Sequence, residues 1–109
     1  MDESLNRKFA ALADPTRRAI LARLASGEAS VAELSTPFRM SQPAISKHLK
    51  VLEAAGLIEA GQAAKSRPRR LKRDAIVEPA KWLETLGGDW DAKFDRLDAY
   101  LKTFDGETK

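Results

Sequence analysis

Met40-Ser41-Gln42-Pro43-Ala44-Ile45-Ser46-Lys47-His48-Leu49-Lys50-Val51-Leu52 is the run that decides the fold. Ser41 is placed to cap a helix, its hydroxyl accepting from an N–H of the first turn. Pro43 falls inside that turn, where the missing N–H costs nothing. Ile45, Leu49 and Leu52 recur at i, i+4 and i+7, which makes one apolar stripe. At about 100° per residue, Ser46, Lys47 and Lys50 face the other way, with Gln42 and Pro43 at the rim. The polar side of this run carries amide, hydroxyl and ammonium groups and no carboxylate, which is the chemistry a polyanion requires. Alone, the pattern equally describes an ordinary amphipathic surface helix. Its neighbours shift the balance: a shorter helix precedes it after a tight turn, and a basic two-strand pattern follows. Helix-turn-helix followed by a wing is a DNA-docking order in which the second helix enters the major groove.

The charge distribution agrees. Residues 1–38 hold five basic and five acidic side chains, and residues 75–109 hold five and eight. Residues 39–74 hold nine basic against three acidic (Glu53, Glu59 and Asp74). A basic middle that coincides with the helix-turn-helix is an electrostatic footprint for phosphates. The chain has 109 residues and no cysteine, so it offers one domain's worth of sequence, no disulfide and no thiolate metal site. No stretch is apolar enough to span a bilayer, and Met1-Asp2-Glu3-Ser4 is not a secretory leader. A cytoplasmic protein is the expectation. With one histidine and no paired carboxylates in a plausible cleft, no nucleophile–base constellation is present, so an enzyme is not expected.

Taken in order, a first helix spans Ser4 to Ala13 with Leu5, Phe9 and Leu12 on one side. Asp14 caps a second helix that begins at Pro15, buries Ile20, Leu21 and Leu24, and ends at Gly27. Arg17 and Arg18 in its first turn either face solvent or touch a phosphate. Ser30 and Glu33 form a capping box for a third helix, which Pro37 should end near Thr36 or kink. Leu34 and Phe38 belong to the core, and Met40 plugs the following turn. Gly56 closes the fourth helix. Leu57–Gly61 and Arg69–Arg73 make a hairpin around the tip at residues 64–68. From Pro79 to Phe104 apolar residues step by three and four, interrupted at Gly87-Gly88, so this part is one kinked helix or two. The first and last helices carry more apolar stripe than a small trihelical core absorbs, which predicts a dimer interface.

The chain resembles the ArsR/SmtB-type winged-helix repressors over about Phe9 to Leu101. The resemblance rests most on Ala11-Leu12-Ala13-Asp14-Pro15-Thr16-Arg17-Arg18-Ala19-Ile20-Leu21 and on the run from Met40 through Ile58. It implies a mainly α fold with a small β-hairpin wing. One winged helix-turn-helix domain would fill residues 1–109, with a recognition helix at 41–55, a wing at 57–73 and a C-terminal dimerisation helix at 79–104. It implies a homodimer that represses transcription, usually of its own operon, by binding a pseudo-palindromic operator in double-stranded DNA. By position, Ser41, Gln42, Pro43, Ser46 and Lys47 would face the DNA groove, with Lys65, Arg67 and Arg69 on flanking phosphate or the minor groove, and Lys50 belongs to the same DNA-binding set. Leu5, Phe9, Leu12, Trp90, Phe94, Leu97 and Leu101 would form the dimer interface.

Ser30 and Ala32 stand where the best-known metal sensors of that family carry cysteines, and the last helix lacks histidine. No metal site and no cofactor is therefore expected. His48 alone is a packed or phosphate-contacting residue. The aromatic residues Trp82, Trp90 and Phe94 leave room for a small apolar effector, although core packing explains them too. The competing function is a winged-helix protein-interaction module without DNA binding. That reading requires an acidic or apolar polar face on the fourth helix, which the chain lacks.

Overall fold

The structure is a computed structural model that describes residues 2–61, 67–87 and 95–102. Five α-helices and one short hairpin follow each other as α1 (Glu3–Leu12), α2 (Pro15–Ala25), α3 (Val31–Phe38), α4 (Gln42–Ala54), β1 (Ile58–Ala60), β2 (Arg69–Leu71) and α5 (Val77–Gly87), with a 3-10 turn at Arg73–Ile76 before α5. Residues 95–102 are helical. The chain divides into two compact units, Met1–Pro79 and Ala80–Lys109. Among the described residues no helix is long and apolar enough to cross a membrane.

Local chemistry explains where the helices start. Asp2, Asp14, Ser30 and Ser41 each stand in extended backbone and accept from the N–H three residues on, filling one of the donors a helix start leaves open. The Ser30–Glu33 capping box forms in both directions, at 3.1 and 3.0 Å.

Their ends are equally explicit. Gly56 takes φ 78°, the left-handed region open to glycine. Its N–H donates to Glu53 C=O at 2.9 Å, and the Leu57 N–H donates to Leu52 C=O at 3.0 Å. This is a Schellman ending. It turns the chain out of α4 and drops Leu57, which is fully buried, into the core. The end of α3 uses the same pair of bonds, Arg39 to Thr36 and Met40 to Ser35, but here Arg39 occupies the left-handed position, with φ 54°.

Three expectations are corrected. First, α3 runs through Pro37 to Phe38. Proline there removes a single bond in the last turn, and the helix stops one residue later, so little is lost. Second, the strands are shorter than the hairpin expected at 57–61 and 69–73, because Arg73 starts the 3-10 turn. Third, α5 starts at Val77, two residues before Pro79, a first-turn position proline tolerates. In addition, β2 has a second neighbour. The Ala29 N–H donates to Arg69 C=O at 3.0 Å, and the Arg69 N–H donates to Ala29 C=O at 2.8 Å. Continuity across Gly87-Gly88, and the roles expected of Trp90, Phe94 and Lys65, lie outside the described residues.

The core of the first unit gathers Ile20, Leu21 and Leu24 of α2, Leu34 of α3, Ile45, Leu49 and Leu52 of α4, and Leu57 and Ile58. Phe38 and Met40 pack against it, half-buried. On α1 the buried positions are Ala11 and Lys8, whereas Leu5, Phe9 and Leu12 are half-buried. The Lys8 ammonium donates to Glu78 Oε1 at 2.9 Å, and the Ser4 hydroxyl donates to the same oxygen at 3.1 Å. A lysine on the inner face of α1 is tolerated because it is paired. In the second unit Trp82, Leu83, Leu86, Leu97, Tyr100 and Leu101 are exposed.

Two outcomes follow for stability. A non-glycine residue in the left-handed region costs about 1–2 kcal/mol, of which glycine's extra freedom in the unfolded chain returns part. Arg39→Gly should therefore stabilise the fold by about 1 kcal/mol and raise Tm by about 4 °C in a calorimetric scan. The Ser30 N–H and hydroxyl hold the Glu33 carboxyl below its ordinary 4.5, and the Arg17 N–H holds that of Asp14 below its ordinary 3.8. Carboxyls depressed in the folded state stabilise above their unfolded pKa, and that stabilisation is lost as pH falls through the folded one. Urea midpoints should fall as pH drops below about 4.5, less steeply in the Asp14→Asn, Glu33→Gln double variant.

Candidate nucleic-acid interface

Helix α4 is oriented by its buried stripe. Ile45, Leu49 and Leu52 are at most 1% exposed, so the residues opposite them must face out. Ser41, Gln42, Pro43, Lys47 and Lys50 are exposed and Ser46 is half-buried. Lys47 and Lys50 make no ion pair among the described residues. The Ser41 hydroxyl accepts from the Ala44 N–H at 3.3 Å, which sets the start of the helix and the direction of Gln42 and Pro43. Helix α3 packs against α4, and the turn at Arg39 and Met40 joins them.

A concavity of about 400 Å3 opens between α3, α4 and the wing. It brings together Gln42 and Ser46 from α4 with Arg67 and Arg69 from the wing, and the start of α3 at Ser30, Val31 and Ala32 closes one side. Gln42, Ser46, Arg67 and Arg69 thus share one basic, polar hollow, while Lys47 and Lys50 lie on the exposed face of the helix beside it. Arg67 is exposed, with φ 33°.

Several cations of the basic middle third are engaged within the fold. The Arg69 guanidinium, with its side chain 15% exposed, donates from Nε to Glu53 Oε1 at 2.5 Å, and from Nη1 to the Arg67 carbonyl. Arg69, expected on phosphate or the minor groove, has its charge matched by Glu53 within the fold. Arg70 pairs across the hairpin with Glu59 at 2.7 Å, the register placing Glu59 opposite Arg70. Arg73 donates to the Ala25 carbonyl at 2.7 Å, at the C-terminal end of α2, where cations are favourable.

Arg17 and Arg18 do the same for α1. Arg17 donates to the carbonyls of Ala11 at 2.7 Å and Ala10 at 3.2 Å, and Arg18 to that of Leu12 at 2.8 Å. Both arginines donate to carbonyls in the last turn of α1, a contact that neither expected alternative included, while Arg18 stays exposed. His48 is half-buried, with Nδ1 3.9 Å from Asp14 Oδ2. It therefore packs α4 against the cap of α2, and its charge when protonated adds to the depression of the Asp14 carboxyl. No group of three or more His, Cys, Asp or Glu residues among the described residues is arranged to hold a metal ion.

Residues 14–60 match the family profile described as bacterial regulatory protein, arsR family. An HTH-type transcriptional regulator of Mycobacterium tuberculosis is 40% identical over 105 residues, spanning 95% of this chain and 92% of that protein. The transcriptional repressor SdpR of Bacillus subtilis is 41% identical over 54 residues, 50% of this chain and 60% of its own. Among solved structures, an ArsR family transcriptional regulator superposes with a TM-score of 0.72 at 39% identity, covering 81% of this chain and 97% of its own. A winged helix-turn-helix DNA-binding domain from Mycobacterium bovis, described as homodimeric, gives 0.66 at 27% identity over 80% of this chain and 81% of its own.

The two classes of arginine and lysine are separable by measurement. Arg17→Ala removes two charge-assisted bonds and should destabilise the fold by about 1 kcal/mol, while barely changing the salt at which the protein leaves a heparin column. Lys47→Ala should do the reverse, eluting at lower salt with an unchanged Tm.

Proposed function

Because the chain belongs to the arsR family of bacterial regulatory proteins, we propose that it is a homodimeric transcriptional repressor that binds double-stranded DNA through α4 and the wing. The observation that carries this reading is the outward face of α4. Gln42, Pro43, Lys47 and Lys50 are exposed on it, held there by a fully buried opposite stripe and continuous with the hollow at Ser46 and Arg67. Phosphate contacts by Lys50, Arg67 and Lys65 supply affinity and register, while Ser41, Gln42, Pro43, Ser46 and Lys47 meet base edges. Gln42 suits adenine through its amide, and Lys47 suits guanine or a phosphate. Two α4 helices of a dimer read half-sites about 34 Å apart on a pseudo-palindrome.

Dimerisation uses the first and last helices. In support, Leu5, Phe9 and Leu12 of α1 remain half-buried, and Leu97 and Leu101 are about half exposed. Isolated domains rarely leave so much apolar surface in contact with water. The protein acts in the cytoplasm on the operon that encodes it and does not respond to metals, consistent with a chain without cysteine and with one histidine.

The test is an anisotropy titration against DNA from upstream of its own gene, at two salt concentrations. Wild-type protein should sediment as a dimer and bind more tightly than to random DNA. Lys47→Ala and Arg67→Ala should each weaken binding and reduce the log–log salt slope by about 1. Unchanged affinity and slope in both variants would refute this interface.

A further inference from the structure

Helix α4 carries one carboxylate, Glu53, in its last turn. On a helix that approaches phosphates a carboxylate is repelled, so its presence requires a compensating role. The Glu53 side chain, one-third exposed, faces the Arg69 guanidinium at 2.5 Å. Arg69 in turn is held at four points. Its N–H and C=O both bond Ala29 in the link between α2 and α3. Its Nε bonds Glu53 and its Nη1 bonds the carbonyl of Arg67. It therefore ties the helix that reads the groove, the link before α3 and the start of the returning strand at a single residue.

We propose that Glu53 is a positioning residue for DNA binding: through Arg69 it locks the wing to α4, and Arg69 acts as a strut rather than as a phosphate ligand. The strut fixes where Arg67 stands relative to Gln42 and Ser46, the residues with which it shares the hollow. Two of the guanidinium's nitrogens are engaged within the fold and its charge is matched by Glu53, so less of it remains for a phosphate. The lone carboxylate of α4 is retained because it orients a cationic wing, at the expense of some repulsion from DNA.

This inference rests on the DNA-binding reading of α4, and its experiment has one arm that needs no DNA. Charge alone and the strut predict opposite signs. Glu53→Gln is nearly isosteric and removes one negative charge. If Glu53 were only a charge near DNA, the variant would bind upstream DNA more tightly. If Glu53 positions the wing, the variant binds at least about fivefold more weakly, with a shallower salt slope, because wing contacts are lost. Arg69→Gln should show the same loss. The Glu53→Gln, Arg69→Gln double variant should lose little more than either alone, as members of one coupled pair do.

The DNA-free arm is hydrogen exchange of the Arg69 and Ala29 amides by NMR, which should accelerate at least about fivefold in Glu53→Gln while the core amides of Leu49 and Leu52 keep wild-type protection. Tighter binding by Glu53→Gln, additive losses in the double variant, or unchanged exchange at Arg69 and Ala29 would overturn the proposal. Failure of the wild-type protein to bind any DNA, with exchange accelerated as expected, would instead overturn the DNA-binding reading and leave the strut standing.

Discussion

Burial of the Ile45–Leu49–Leu52 stripe governs this structure. Each of these side chains contributes about 1.5–3 kcal/mol when removed from water. They meet Ile20 from α2, Leu34 from α3 and Leu57 from the chain that leaves α4. Rotating α4 about its axis would expose that stripe, so the helix has one permitted orientation. The outward direction of Gln42, Lys47 and Lys50 is a consequence of that packing. The exposed face needs no interaction of its own to hold it in place, which leaves its side chains available to a partner.

The ends of the elements complete the scaffold. The Schellman ending at Gly56 returns the chain toward the core through Leu57, and β1 starts at the next residue. Because β1 begins there, the wing must lie alongside the C-terminal end of α4, and Arg69 comes within reach of Glu53. The same backbone course brings Ala29 to the other side of Arg69. A turn two residues long thus decides how the cationic hairpin is presented.

Electrostatics in this molecule divides into two populations. Arg17, Arg18 and Arg73 satisfy carbonyls at helix ends, while Lys8, Arg69 and Arg70 pair with Glu78, Glu53 and Glu59. These groups hold the fold together. Lys47, Lys50 and Arg67 are exposed around one hollow and beside it. A net charge of +3 conceals this division, and a count of basic residues along the chain overstates the cationic surface that DNA would meet.

How much of this was legible beforehand depends on range. The caps at Asp14, Ser30 and Ser41, the end at Gly56, and the inward stripe of α4 follow from residues within one or two turns of each other, so the sequence by itself determined them. The resemblance over residues 9–101 supplied the order of helices and the wing. Pro37 misled because its penalty depends on how soon a helix stops, which the turn at Arg39 and Met40 decides. Only the tertiary structure determined that Arg17 and Arg18 reach back to α1, that Lys8 is paired with Glu78, that Ala29 bridges to Arg69 and that Glu53 faces Arg69. Each of these joins side chains or strands on different elements, and most join residues far apart in the chain. Which charge meets which is set by where the packed core places their backbones, and no spacing in the sequence encodes that distance.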